Sequence, residues 1–286
     1  CDLACLHCRA EAQPLPHPEE LTPEEGKRLI DQVADMGTRM FILSGGDPLK
    51  RPDFYDLIAY AAEKGIHTSI SPSGTPLVTY AAMKKAREAG AKGASLSLDG
   101  PGPEYQDRFR ATPGSFQWTM EGIRACQEAG LRVQINTTVT KQNVDLLPAM
   151  AELMHELRPM IWSLFFLVPT GRGKEINQTM LTAEEMERVF HWLYDLSLAA
   201  PFAVKTTAAQ HYRRVMLQRE RERRAAEGKE VNPLKARGIY RTAFHGQDMA
   251  RGVNDGNGTI FISHTGEVYP SGFLPLSAGN VRQTPL

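Results

Sequence analysis

The chain has 286 residues, 42% of them hydrophobic and 23% charged, with 33 basic side chains set against 33 acidic ones. That is the composition of a globular protein and excludes a disordered chain, a collagen and a coiled coil. A formal charge of zero gives no global reason to expect nucleic acid or an anionic membrane as partner. No apolar run reaches the ~18 residues that a membrane span needs; the longest, Met160 to Val168, is interrupted by Ser163. No signal peptide is read, and position 1 is Cys rather than Met, as expected of a fragment or a trimmed chain.

In chain order, Leu21 to Met36 is predicted as a helix, with Thr22 as N-cap, Pro23 at the first helical position, Glu25 completing a capping box and Gly37 ending it. A strand at Arg39 to Leu43 follows, then a helix at Asp53 to Lys64 and a strand at His67 to Ile70. Thr79 to Ala89 is helical, Gly93 to Leu98 extended, Phe116 to Ala129 helical and Arg132 to Thr138 extended. Leu146 to Leu157 gives a further helix and Ile161 to Leu167 a further strand. Gly65, Gly90 and Gly130 close their helices at "KGI", "AGA" and "AGL", each just before a strand. Strands alternating with crossover helices imply a parallel sheet, wound as a barrel or as an open doubly wound sheet.

After Leu167 the rhythm changes. Thr182 to Leu198 is an amphipathic helix, Phe202 to Thr206 a further candidate strand, and Ala208 to Ala226 a helix that becomes strongly charged from Arg213 on. Its mixed-sign charges read as a solvated face rather than a nucleic-acid patch. Gly228 to Gly258 is read as irregular. Thr259 to Ser263 and Glu267 to Tyr269, joined through His264, Thr265 and Gly266, are read as a hairpin.

Cys1, Cys5 and Cys8 crowd the start of the chain, and the fourth cysteine, Cys126, sits in a helix as a buried, inert thiol. Disulfide scaffolds spread their cysteines along short secreted chains. Clustered cysteines in a large α/β chain read instead as ligands, in a reducing, cytoplasmic compartment. Structural zinc takes four closed ligands, and a [4Fe–4S] cluster normally takes four cysteines. Three thiolates would leave one iron of a cluster open to an exogenous ligand. A zinc site completed by His7 and cysteines with no ligand role are the other readings.

The Cys1-x-x-x-Cys5-x-x-Cys8 spacing followed by a βα series resembles the radical S-adenosylmethionine (SAM) superfamily over nearly the whole chain. The resemblance implies an α/β fold: a partial (βα)6 TIM-like barrel with a C-terminal β-hairpin extension, its first strand lying ahead of Cys1. It divides the chain into a core at 1–206, a helix and linker at 207–254 and the start of an extension at 255–286. It implies that Cys1, Cys5 and Cys8 bind a [4Fe–4S] cluster whose open iron is chelated by the amine and carboxylate of SAM. Reductive cleavage of SAM then gives a 5′-deoxyadenosyl radical, which takes a hydrogen atom from substrate.

Other motifs carry the same resemblance. Gly45-Gly46-Asp47-Pro48 follows the first predicted strand, where its glycines expose backbone to a ligand; the family has Gly-Gly-Glu-Pro there, on the SAM amine. Ser73, in Ser71-Pro72-Ser73-Gly74-Thr75, takes a position where the family often has Asn. Ser95-Leu96-Ser97-Leu98-Asp99-Gly100, then Asp107 and Arg110, looks like the family's Ser-Leu-Asp-Gly and Asp-x-x-Arg. By that match Ser97 and Arg110 hold the SAM carboxylate or ribose, as suits the donor fork of an Arg. Asp99 reads equally as a loop cap or a catalytic group, and Gln106 stands where related enzymes often carry His. Asn136, at a strand's C-terminal end, is implied to meet the SAM ribose, and backbone from Val168 to Gly173 the adenine; Arg172 faces either a substrate carboxylate or solvent.

Gly266 to Phe273 and Gly279-Asn280-Val281-Arg282 resemble the start of the SPASM or twitch extension of radical SAM maturases. Ser271 stands where many of those have a cluster-ligating Cys. This ending and "HYRR" at 211–214 look most like haem-biosynthesis and d-type haem members. That favours a tetrapyrrole substrate over a peptide or protein, with reduced flavodoxin or ferredoxin as electron donor. A non-catalytic iron–sulfur protein is the alternative of another class, disfavoured because a cluster carrier needs no SAM site.

Overall fold

A computed structural model describes residues 1–228 and 254–286. Six strands make one parallel sheet: β1 (Met40–Leu43), β2 (His67–Ile70), β3 (Gly93–Ser97), β4 (Arg132–Val139), β5 (Ile161–Phe166) and β6 (Ala203–Thr207). Their order in the sheet is their order in the chain. A doubly wound sheet reverses at a switch point; an unreversed order is the winding of a barrel wall. The six are supplied by residues 40–207. The candidate strand after Phe202 is β6, which pairs along β5 from Ala203 to Thr207.

Eight α-helices are described: α1 (Pro23–Asp35), α2 (Phe54–Glu63), α3 (Tyr80–Ala89), α4 (Pro103–Phe109), α5 (Ser115–Glu128), α6 (Leu147–Leu157), α7 (Ala183–Ala199) and α8 (His211–Ala226). The predicted box at the start of α1 is formed: Glu25 N donates to Thr22 Oγ1 at 3.2 Å, and Thr22 N to Glu25 Oε2 at 2.8 Å. Seven-residue α4 is absent from the sequence reading; it starts at Pro103, and its C-cap is Arg110.

Strand β4 shows how the two faces of the wall differ. Val133, Ile135, Thr137 and Val139 are buried, while Arg132, Gln134, Asn136 and Thr138 between them are only half-buried. Side chains alternate across a strand, so one face seals against helices and the other lines a concave interior. On the sealed face Leu96, Ile135, Trp162 and Leu164 meet Ile123, Met150 and Phe190 in the main core. Trp162 Nε1 donates to Thr137 Oγ1 at 2.8 Å, so the buried indole is satisfied. Cys126 lies in this core with no solvent exposure, and burial pushes its thiol up to about 12. Helix α8 joins the same core through Tyr212, Val215 and Met216.

The C-terminal residues form two small sheets. β7 (Asn254–Asp255) pairs with β8 (Gly258–Thr259), while β9 (Phe261–Ile262), β10 (Glu267–Tyr269) and β11 (Gly279–Asn280) form an antiparallel three-stranded sheet. The predicted hairpin is present as β9 and β10, with β11 added beside β10. This extension docks on α1 and α2, where Ile262, Val281 and Leu286 pack against a second core of Leu29, Ile30, Val33 and Leu57. Arg282 grips Glu25 with two nitrogens, at 2.7 and 2.9 Å. The reading of 228–258 as irregular falls largely on residues outside those described. No helix among the described residues is long and apolar enough to cross a membrane.

Candidate functional site

Residues 1–8 form a loop whose contacts come from the C-terminal ends of the strands. Cys1 Sγ lies 3.2 Å from Ser73 Oγ, just past β2, and Ser73 Oγ in turn donates to the carbonyl of Gly46, just past β1. Cys5 Sγ accepts from Arg110 Nη1 at 3.6 Å. Cys8 Sγ accepts from the backbone of Ala12 at 3.4 Å. Past β5, Arg172 donates from its backbone to Cys8 O at 3.1 Å and from Nε to Cys5 O at 2.9 Å. All these cysteines are free of disulfides, and the loop thus presents three thiols where a barrel carries its active site.

The backbone is fitted to this loop. A Cβ on Gly171, whose φ is +53°, would lie 2.4 Å from Arg9 O and 2.5 Å from Cys8 O, so only glycine permits that approach. His7 does not turn toward the thiols. Its ring stacks on Phe109 with centroids 4.2 Å apart and planes 8° apart, and burial pushes its pKa down to about 3. Among the described residues no three His, Cys, Asp or Glu side chains are placed to share one metal ion, as the zinc reading requires. In an iron–sulfur cluster each cysteine takes an iron of its own.

Residues 1–154 match the Radical SAM superfamily. The chain belongs to that superfamily. Its cofactors are a [4Fe–4S] cluster and SAM, and its members are enzymes; the free thiols and their donors suit the first of these. An AdoMet-dependent heme synthase of Oleidesulfovibrio alaskensis is 43% identical over 99% of this chain and 70% of its own length. A synthase of the same name from Nitratidesulfovibrio vulgaris is 42% identical over 100% of this chain and 74% of its own. Among solved structures, SuiB of Streptococcus suis bound to its precursor peptide SuiA superposes with a TM-score of 0.71 at 16% identity, over 100% of this chain and 61% of that one. That likeness supports the radical SAM fold alone.

Around the radical SAM loop the structure places the other sequence-derived residues as follows. Asp47 is buried; its Oδ1 caps the turn after it by accepting from Leu49 N at 3.3 Å, and its Oδ2 accepts from Thr75 Oγ1 at 3.1 Å. Burial raises its pKa, against the pull of those donors. A Cβ on Gly46 would come within 3.0 Å of Cys1 Cβ, and Gly45 takes φ +129°. Ser97 and Asn136 are paired in register on the inner face of β3 and β4. Asn136 Oδ1 accepts from Gln134 Nε2 at 2.7 Å. Val168 presents its carbonyl to Thr170 N at 2.8 Å in the turn leading to Gly171.

Arg110 turns its fork to Asp99 and Cys5. Asp99 is fully buried and pairs with Arg110. Gln106 is a staple, accepting from Asp99 N at 2.7 Å and donating to Ser97 O at 3.2 Å. Sequence reading missed Arg9. Its guanidinium lies 4.4 Å from the Phe261 ring and 5.8 Å from that of Phe273, and it donates to Gly272 O at 2.9 Å. An Arg next to one of the clustered cysteines was the available signal, but nothing local pointed to partners so far along the chain.

Proposed function

We propose that this radical SAM enzyme acts on a tetrapyrrole of the haem type. The observation that carries the reading is the identity of 43% and 42% with AdoMet-dependent heme synthases over essentially the whole chain. A further relative at 33% identity, from Methanosarcina barkeri, is an Fe-coproporphyrin III synthase. In this reading Cys1, Cys5 and Cys8 hold the cluster, and Gly45, Gly46, Asp47, Ser73, Ser97, Arg110, Asn136 and Val168 line the SAM site. A cluster and SAM held there would supply the reductive cleavage chemistry by which hydrogen is taken from a substrate.

The protein's share is placement and charge. Arg110 and the Ala12 amide donate to Cys5 Sγ and Cys8 Sγ and so orient the two sulfurs. Asp99 holds Arg110 in place beside Cys5. Ser73 ties the Cys1 end of the loop to the Gly46 turn. Reduced flavodoxin or ferredoxin is the proposed electron donor, and the cytoplasm the proposed compartment. Peptide maturation is the second reading, favoured by 30% identity over 68% of the chain to the mycofactocin maturase MftC of Mycolicibacterium smegmatis.

The test is anaerobic iron–sulfide reconstitution, then SAM and dithionite with either an iron porphyrin bearing propionates or a candidate peptide. Mass spectrometry follows 5′-deoxyadenosine and the substrate. About four irons per chain, with a mass change in the porphyrin, is expected. Formation of 5′-deoxyadenosine that no porphyrin alters would end the haem reading; a cluster without any cleavage would instead favour a carrier.

A further inference from the structure

A row of polar side chains crosses the inner face of the sheet. Ser97 pairs with Asn136, Asn136 with Ser163, and Ser163 with Lys205. Lys205 is on β6, whose preceding residue, Val204, packs against the main core. Alternation therefore turns Lys205 to the interior, the face shared by the proposed SAM-lining residues Ser97 and Asn136. It has no ion-pair or hydrogen-bond partner among the described residues. Beside it, Ser163 Oγ is fully buried and also without a partner.

Lys205 is reached by solvent, yet surrounding protein desolvates its ammonium and lowers its pKa. Both hold for a side chain standing in an open cavity, and not for one on a convex surface. Edge-strand lysines often only discourage pairing with another chain, but such a lysine needs no place on the inner wall. Two residues along the same face of β5 is Phe165, whose ring lies 6.5 Å from that of Phe273 in the C-terminal extension. A lone cation beside aromatic surface suits a flat ring system with acidic groups at its rim.

We propose that Lys205 anchors a carboxylate of the substrate, in a subsite walled by Phe165 and Phe273. This rests on the haem-type reading, since it is the propionate edge of a tetrapyrrole that the ammonium meets. A charge-assisted hydrogen bond of this kind is worth ~10- to 100-fold in affinity.

The probe is coproporphyrin III, titrated by absorbance into the reconstituted full chain and into its Lys205→Met and Lys205→Arg variants at matched iron content. Binding weakened roughly tenfold or more by Lys205→Met, and held within about threefold by Lys205→Arg, is the expected result. Lys205→Gln gives the same neutral comparison if methionine disturbs the fold. Equal binding by the parent and the neutral variant would overturn the anchor and leave the haem reading standing. A parent chain that does not bind the porphyrin would overturn both.

Discussion

Arg110 and Asp99 form an ion pair sealed behind Cys5. Arg110 Nε and Nη2 lie 2.8 and 2.5 Å from Asp99 Oδ2, and the remaining nitrogen, Nη1, is 3.6 Å from Cys5 Sγ. The other carboxylate oxygen of Asp99 accepts from Thr138 N at 2.7 Å. One carboxylate thus links the ends of β3 and β4 to the cysteine loop, and its charge beside Arg110 holds the guanidinium's pKa up against burial. Removing one partner of such a pair leaves an uncompensated buried charge and costs about 3–5 kcal/mol. Asp99→Asn, nearly isosteric, should lower stability by that order in anaerobic urea unfolding. An unchanged midpoint would show that the pair does not hold this corner.

Gly171 tests how tightly the turn after β5 must approach the loop. An alanine there meets two penalties: the left-handed backbone at φ +53°, and the carbonyls of Arg9 and Cys8 at 2.4 and 2.5 Å from the new Cβ. The first alone costs about 1–2 kcal/mol. The second falls on backbone that cannot rotate aside, so the loop must shift and carry Cys8 with it. Gly171→Ala should therefore reconstitute with less iron per chain while its far-ultraviolet circular dichroism is unchanged. Iron retained at the parent level would show that the loop has slack.

Arg9 ties the extension to the loop. Its guanidinium is held by the rings of Phe261 and Phe273 and by Gly272 O, all in residues 254–286, while its backbone adjoins Cys8. Cation–π contacts and one charged hydrogen bond together contribute about 2–3 kcal/mol when partly desolvated. Arg9→Ala should speed amide exchange in β9 and β10 while leaving β3 to β5 protected. Uniform protection in the variant would mean that Arg282 with Glu25, and Ile262 with Val281 in the second core, hold the extension without it.

These contacts show where the sequence was legible and where it was not. The βα rhythm was readable because the Thr22–Glu25 box and the glycines at 65, 90 and 130 are local chemistry. The cysteine spacing was readable because all three thiols lie within eight residues of one loop. Helix α4 was not, since seven residues with no apolar period leave only Pro103 as a cue. β6 was faint because Lys205 interrupts a short apolar run. The resemblance placed Arg110 at the site but not on Asp99, because a motif names residues without their partners. Arg9 could not be read at all: its aromatic partners lie at the far end of the chain, and only folding joins them.

Glu220 gives the acid side of stability a specific origin. It is 5% exposed on α8. It accepts from Arg223 at 2.8 and 3.0 Å, from Arg224 at 2.6 Å and from Tyr194 OH at 3.3 Å. The hydrogen bonds from Arg223, and then from Arg224, outweigh burial and hold its carboxyl down at about 2, against an ordinary 4.5. The folded pKa lies below the unfolded one. The contribution is therefore complete above about pH 4.5 and is lost as pH falls toward 2. With both arginines partly open to solvent, the contribution is on the order of 2 kcal/mol. Glu220→Gln should make the chain less stable at pH 7, and the difference from the parent should shrink steadily between pH 4.5 and 2. Urea unfolding of the cluster-free chain across that range measures it. A difference that stays constant with pH would assign the loss to packing between α7 and α8 rather than to the carboxylate's charge.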